Sequence, residues 1–167
     1  LYGYVIRLAR RCTYVANSSV RDIKEVFEIR TTLDALASGL AAERITEEEL
    51  EQLERLLVSI GENIETRNMK KVVEDDMEFH DILYKASRNQ RLVGIISNLR
   101  EQMTRFRSMS MSYPGRLKKT LEEHSRLVEA IAQRDVELAQ KLAVEHMENS
   151  EQTLLIDMEA IHQARKE

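Results

Sequence analysis

Helix-breaking residues are almost absent from this chain. Its 167 residues include one proline, Pro114, and five glycines. Inside a helix, proline costs about 3 kcal/mol and glycine about 1 kcal/mol relative to alanine. All-β folds need many turns, and turns are built largely from these two residues. The scarcity of breakers therefore predicts long helices and argues against an all-β fold.

The spacing of apolar residues predicts six amphipathic helices. From Val20 onward, apolar side chains recur every three or four residues, as in Ile23, Val26, Phe27 and Leu33. The predicted helices lie near residues 20–43, 47–66, 69–87, 90–110, 116–133 and 135–160. Amphipathic helices with short connections pack as antiparallel bundles. We therefore expect an all-α fold, an antiparallel bundle of about six helices.

The first residues have a different pattern. Residues 2–16, YGYVIRLARRCTYVA, are rich in Tyr, Val and Ile with partial alternation, which predicts two short strands of a hairpin. An isolated hairpin is marginally stable in water. Residues 1–17 are therefore interpreted as the end of another unit, and residues 18–167 as the helical domain.

Composition restricts the class of protein. The chain is 43% hydrophobic and 32% charged, which is typical of a folded globular domain. Its net charge of −4 does not suit a domain that grips nucleic acid by itself. The single cysteine, Cys12, fits a reducing cytoplasm. No apolar run approaches the roughly 20 residues of a membrane span, and we expect a cytoplasmic protein with no membrane partner.

Four polar residues interrupt the predicted apolar faces. Asp76 and His80 are four residues apart and share one side of the third helix. His124 lies among the apolar positions of the fifth helix, and His146 follows the apolar positions of the sixth. Burying an imidazole without a partner costs roughly 1–3 kcal/mol. One divalent ion would satisfy the three imidazoles and the carboxylate together, with zinc, nickel, copper, iron or manganese as chemically suitable metals. The alternative is that each histidine bonds to a backbone carbonyl or a nearby glutamate.

Two arginines in the predicted helices could bind a ligand or belong to ordinary ion pairs and solvated faces. Arg30 stands in line with Ile23 and Phe27, where an apolar residue is expected. It either pairs with Asp34, four residues on, or directs its guanidinium into the bundle to bind a carboxylate. Arg100 on the fourth helix is expected on a solvated face, although it could line the same cavity.

Several segments resemble the FadR-type C-terminal domain, or FCD domain, of the GntR family of bacterial transcription regulators. The resemblance runs from about Ile23 to Leu155. It rests on EVFEIRTTLDALASGLAAERIT at 25–46, DMEFH at 76–80, NQRL at 89–92, SMSYPGRLKKTLEEH at 110–124 and AVEHM at 143–147. Metal-binding members of the family carry an Asp and a His four residues apart, followed by two later histidines. These match Asp76, His80, His124 and His146, so the resemblance implies the metal-binding type.

The resemblance also implies a function. Residues 10–16, RRCTYVA, are similar to the end of the wing of a winged helix-turn-helix domain, with Arg10 and Cys12 where the family has glycines. DNA would then be bound only through an N-terminal domain that lies before Leu1. The helical domain would hold a divalent metal, zinc first, with nickel or manganese as alternatives. A small organic acid would bind at that metal and at Arg30, and would control DNA binding by a homodimer.

Two other functions fit the residues alone. A metal in a helical bundle can activate water, as in a hydrolase-like metalloenzyme. However, no general base is evident beside the ligands, because Glu78 points to another face and Asp75 is expected at the rim. The remaining alternative is a purely structural dimerisation bundle with incidental histidines. We expect a regulator and not an enzyme.

Overall fold

The computed structural model describes residues 5–7, 13–15, 20–112 and 115–164, and helices make up nearly all of this part of the chain. In chain order they are α1 (Val20–Arg44), α2 (Glu47–Glu65), α3 (Met69–Ala86), α4 (Gln90–Ser112), α5 (Arg116–Ala132) and α6 (Val136–Ala164). The prediction of an all-helical bundle is confirmed. The largest difference lies at the end of α6, which continues four residues beyond the predicted boundary.

Short polar side chains begin several of the helices. At α2, Thr46 and Glu49 form the predicted capping box, with the Glu49 amide donating to Thr46 Oγ1 at 3.2 Å. Asn89 Oδ1 accepts from an amide in the first turn of α4, and Asp135 Oδ1 accepts from one in α6 at 3.0 Å. These bonds satisfy amides that a helix leaves without an intrahelical partner.

Three helices are followed by a non-glycine residue in the left-handed conformation. Arg67, Arg88 and Arg134 follow α2, α3 and α5 with φ of 58°, 55° and 58°. After α5, the Asp135 amide donates back to the Ala130 carbonyl at 3.0 Å, which closes the last turn. A Cβ is disfavoured in this conformation. The short connections therefore carry backbone strain at these arginines.

Neighbouring helices run antiparallel. Gly39, near the end of α1, lies against Gln140, near the start of α6, while Arg30 in the middle of α1 reaches Met147 further along α6. A Cβ on Gly39 would lie 2.6 Å from the Gln140 side chain, so glycine permits this close approach. The α2–α3 and α5–α6 pairs are also antiparallel. As the chain advances along the first helix of each pair, its contacts move back along the second.

Two apolar clusters form most of the core. The larger one takes side chains from all six helices, including Leu53, Phe79 and Ile131. The smaller one joins α1, α4 and α6 and consists of Ile23, Phe27, Met103, Met147 and Leu154. Burying such a side chain contributes roughly 1.5–3 kcal/mol. The two clusters account for the stability of the bundle.

Buried polar side chains are unusually numerous for a domain of this size. Among the described residues they are Arg30, Asp34, Ser38, Asp75, Asp76, His80, Ser87, Arg116, Thr120, Glu123, His124 and His146. Asp75 corrects an expectation, since it is 1% exposed and not at the rim. Its carboxylate accepts from Ser59 and pairs with Lys71, each at 2.7 Å, so it joins α2 to α3.

A short strand pair precedes the helices. β1 (Val5–Arg7) pairs antiparallel with β2 (Thr13–Val15), with Ile6 opposite Tyr14. Cys12, Pro114 and residues 16–19 lie outside the described residues. Among the helices that the structure describes, none combines the length and the apolar character that crossing a bilayer requires.

We expect Arg67→Gly to stabilise the protein by up to about 1 kcal/mol, because glycine adopts a positive φ without the Cβ penalty. The control is Arg67→Ala, which removes the side chain but keeps the Cβ. Urea unfolding should show a higher midpoint for the glycine variant alone. Equal midpoints for the two variants would contradict the idea that backbone strain at this position matters.

Candidate metal and effector site

Three histidine rings from α3, α5 and α6 meet inside the bundle. One ring nitrogen from each of His80, His124 and His146 lies within 4.8 Å of the others. The three residues are 5%, 0% and 9% exposed. A tetrahedral ion with bonds of about 2.1 Å separates its ligand atoms by roughly 3.4 Å. Small side-chain shifts would therefore bring the three nitrogens to coordinating distance.

Asp76 adds a carboxylate to this cluster. Its Oδ1 lies 3.9 Å from Nε2 of His80 and 3.9 Å from Nδ1 of His124. Asp76 and His80 reach the same point because they are one helical turn apart on α3. The structure thus brings together the four residues that the sequence analysis selected, from three separate helices.

His124 has no conventional way to satisfy its ring. Both of its nitrogens are buried and accept or donate no hydrogen bond among the described residues. Its ring stacks on Phe79, with centroids 4.3 Å apart and planes 10° from parallel. Burial, with a smaller effect of nearby His146, lowers the pKa of His124 to about 3. At neutral pH the ring is therefore neutral and retains a lone pair.

His146 is held by a carboxylate that sequence reasoning missed. Its Nδ1 lies 2.7 Å from Oε2 of Glu123, which leaves Nε2 as the nitrogen free to face the cluster. Glu123 is itself held by Arg116 through two hydrogen bonds of 2.9 Å, and by Asn149 at 3.0 Å. Carboxylates that orient a metal-binding histidine in this way are a common feature of metal sites.

The charge state of Glu123 follows from these contacts. Burial alone would raise the pKa of Glu123, but hydrogen bonds from His146 and Arg116 hold it at about 2. The signal in the sequence was present: Arg116 and Glu123 are seven residues apart, which places them on the same side of α5. Their burial could not be inferred from this spacing alone, because a charged pair at this spacing is more common on a solvated face.

A second set of bonds supports His80. Its Nδ1 lies 3.4 Å from the Tyr84 hydroxyl, to which Nη2 of Arg30 also donates at 3.4 Å. Burial raises the pKa of Tyr84, so the hydroxyl keeps its proton. Arg30 and His80 are therefore connected through one shared hydroxyl.

Both interpretations of Arg30 describe part of its surroundings. Its Nη2 donates to Oδ2 of Asp34 at 2.8 Å, as expected for an intrahelical pair. The same guanidinium is 8% exposed and lines a cavity, as expected for a ligand-binding residue. Its Nε has no hydrogen-bond partner among the described residues. Arg30 thus retains one buried donor.

A cavity of about 390 Å³ adjoins the histidine cluster. Asp76, His80 and His146 line it, whereas His124 is not among its lining residues. Arg100 also lines the cavity, which is the alternative that the sequence left open, and it pairs with Asp81. The volume lies in the lower part of the range of roughly 300–1,000 Å³ that is usual for small-molecule sites.

The donor set fits a divalent metal ion. Neutral imidazoles and a carboxylate are the ligands that zinc, nickel and manganese accept in proteins. The alternative, in which every histidine has a local partner, describes His146 and its glutamate but does not describe His124. The unsatisfied ring of His124 is the observation that favours an ion.

The structure is thus a helical bundle with a buried polar cluster beside a cavity that is partly open to solvent. A family model described as the FCD domain matches residues 25–149. That match spans well over half of the chain, and the chain belongs to the FCD domain family. The predicted family resemblance is confirmed.

Curated relatives carry the names of transcription regulators. The HTH-type transcriptional repressor RspR of Escherichia coli is 26% identical over 139 residues, which cover 83% of this chain and 61% of the relative. The regulator LutR of Bacillus subtilis is 30% identical over 138 residues, which cover 80% of this chain and 62% of the relative. The chain therefore spans about three fifths of their length. The comparison agrees with a regulator and not an enzyme.

Solved structures share the fold. E. coli McbR/YncC has a TM-score of 0.80 at 22% identity, over 94% of this chain and 78% of that one. A structure of the metal-free FCD domain of TM0439 has a TM-score of 0.71 at 18% identity, over 87% of this chain and 99% of that one.

In metal-free buffer, His124→Leu is expected to raise the free energy of unfolding by about 1–2 kcal/mol, because it removes two unsatisfied polar atoms from the core. His146→Leu serves as the contrast and is expected to destabilise the protein, because Glu123 loses a buried partner. Chemical denaturation in the presence of a chelator measures both. A destabilised His124→Leu protein would contradict the view that the ring is unsatisfied without a ligand.

Proposed function

We propose that this chain is the effector-sensing domain of a bacterial transcription regulator, in which a small organic carboxylate binds beside a divalent metal ion. The metal would be held by Asp76, His80, His124 and His146. The single observation that carries the proposal is the fully buried His124 ring, whose two nitrogens have no partner among the described residues. Zinc is the first choice, with nickel or manganese as alternatives.

The role of the metal is to supply positive charge and an open coordination position beside the cavity. His80 and His146 form part of the cavity wall, so a ligand in the cavity would lie next to the histidine cluster. Glu123 keeps His146 in one orientation through its Nδ1. Tyr84 does the same for His80, with Nδ1 and the hydroxyl 3.4 Å apart. These two contacts preorganise the imidazoles before any ion binds.

Arg30 is the proposed carboxylate-binding residue. It lines the cavity and is connected to His80 through the Tyr84 hydroxyl. A guanidinium matches the planar geometry of a carboxylate. A charge-assisted hydrogen bond of this kind is worth roughly 1.5–3 kcal/mol.

The arrangement of α1 suggests how binding would be transmitted. Phe27 and Arg30 of α1 line the cavity, and the same helix begins at Val20, soon after β2. We propose that the β1–β2 pair is the end of the wing of a winged helix domain. A ligand that binds one position of α1 more tightly would shift the pose of that domain in a homodimer. The regulatory names of the relatives support this assignment.

Metal binding can be tested with two adjacent aspartates. Zinc titration of the chelator-treated protein should give about one ion per chain, and Asp76→Asn should weaken the affinity at least tenfold because a charged ligand is lost. Asp75→Asn is the matched control, since that carboxylate is equally buried but bonds to Ser59 and Lys71. No bound zinc in the parent protein, or equal losses in the two variants, would count against the metal site.

The carboxylate site makes a separate prediction. Arg30→Lys is expected to weaken carboxylate binding to the zinc-loaded protein by about tenfold, because lysine keeps the charge but loses the planar donors. The zinc affinity should stay unchanged. Calorimetry with a panel of organic acids measures the first quantity and zinc titration the second. Carboxylate binding that does not change in this variant would remove Arg30 from the proposed site.

A further inference from the structure

The arginines that line the cavity already have anionic partners. Among the described residues they are Arg30, Arg100 and Arg116. Each forms a salt bridge with its own carboxylate, in the pairs Arg30–Asp34, Arg100–Asp81 and Arg116–Glu123. A ligand with several anionic groups would have to compete with these carboxylates for the same guanidinium groups. The cavity is therefore poorly suited to a polyanion.

One part of the cavity nevertheless suits a single carboxylate. Arg30 and His146 line the cavity together with His80, to which Arg30 is connected through the Tyr84 hydroxyl. By contrast, Arg116 uses Nη1 and Nη2 on the two oxygens of Glu123, and Nη2 also donates to Ser150 at 2.8 Å. Arg30 is therefore a better candidate than Arg116 for binding a ligand carboxylate.

One continuous part of the cavity wall is apolar. Phe27, Met103, Met147 and Leu154 line the cavity and are each no more than 8% exposed. These four belong to one continuous hydrophobic cluster. A second carboxylate placed against them would lose its hydration without gaining a hydrogen bond, which is costly. An alkyl chain in the same place would gain free energy from burial.

We infer that the effector is a monocarboxylate with a short apolar tail, and that dicarboxylates and tricarboxylates are discriminated against. This inference rests on the proposed carboxylate-sensing function and adds the chemical class of the ligand. The carboxylate binds beside Arg30 and the histidine cluster, and the tail packs on the methionines and on Phe27. The flexible thioether side chains of Met103 and Met147 can adapt to tails of different shape.

Two acids of equal length provide the test. Calorimetry on the zinc-loaded protein should show that hexanoate binds at least tenfold more tightly than adipate, which has the same six carbons and a second carboxylate. Butyrate and succinate repeat the comparison at four carbons. Ionic strength is kept constant, so that the comparison reports on the cavity and not on long-range screening.

A substitution in the cavity wall should alter this discrimination. Asp81→Asn removes the carboxylate that pairs with Arg100, so adipate should bind this variant about tenfold more tightly than it binds the parent. Hexanoate binding should stay unchanged. The matched control is Glu51→Gln, which removes the partner of Arg55 in an exposed pair that is not part of the cavity wall. It should alter neither affinity.

The possible results distinguish a failure of the inference about ligand class from a failure of the proposed sensing function. If adipate binds as tightly as hexanoate in the parent protein, the inference about ligand class is wrong and the sensing function stands. If Asp81→Asn fails to improve adipate binding, charge matching by the cavity carboxylates is not the source of the discrimination, and the inference fails on its mechanism. If neither hexanoate nor adipate binds but another acid of the panel does, the inference about ligand class is wrong; if no acid of the panel binds the zinc-loaded protein, the proposed function itself is overturned.

Discussion

The rest of the site depends on one buried ring whose polar atoms find no hydrogen-bond partner in the described part of the chain. His124 is fully buried, stacks on Phe79, and has no hydrogen-bond partner for either nitrogen among the described residues. Such a group costs roughly 1–3 kcal/mol in a folded protein. The bundle tolerates this cost because its apolar clusters are extensive. A ligand for that ring would recover the cost, which couples the stability of the domain to occupancy of its site.

The network around His146 has the opposite character, because its charged groups are paired with one another. Arg116 holds Glu123 with two hydrogen bonds, and Glu123 holds His146 at 2.7 Å. Arg116 also lines the cavity, so the residue that holds Glu123 borders the space beside the cluster. Buried networks of this kind are rigid when they are fully satisfied. This network therefore orients His146 within the cluster.

Much of the fold could be predicted because helix formation is encoded locally. The scarcity of breakers and the apolar spacing gave the positions of the six helices to within a few residues. Capping by Thr46 and Asp135 is local in the same way, since each side chain bonds to an amide three residues on. The apolar spacing does not fix the orientation of every residue, because the apolar Met77 and Ile95 are 43% and 52% exposed.

By itself, the sequence determined the helices, the acidic net charge, and the residue types able to bind a metal or a carboxylate. Only the tertiary structure decided that Asp76, His80, His124 and His146 converge, because their mutual distances depend on how three helices pack. It also revealed that Arg116 and Glu123 face the interior, and that each arginine lining the cavity has its own carboxylate. Whether such residues face the interior depends on which helices pack together, and a one-dimensional pattern records spacing along a helix but not the neighbour that a face meets.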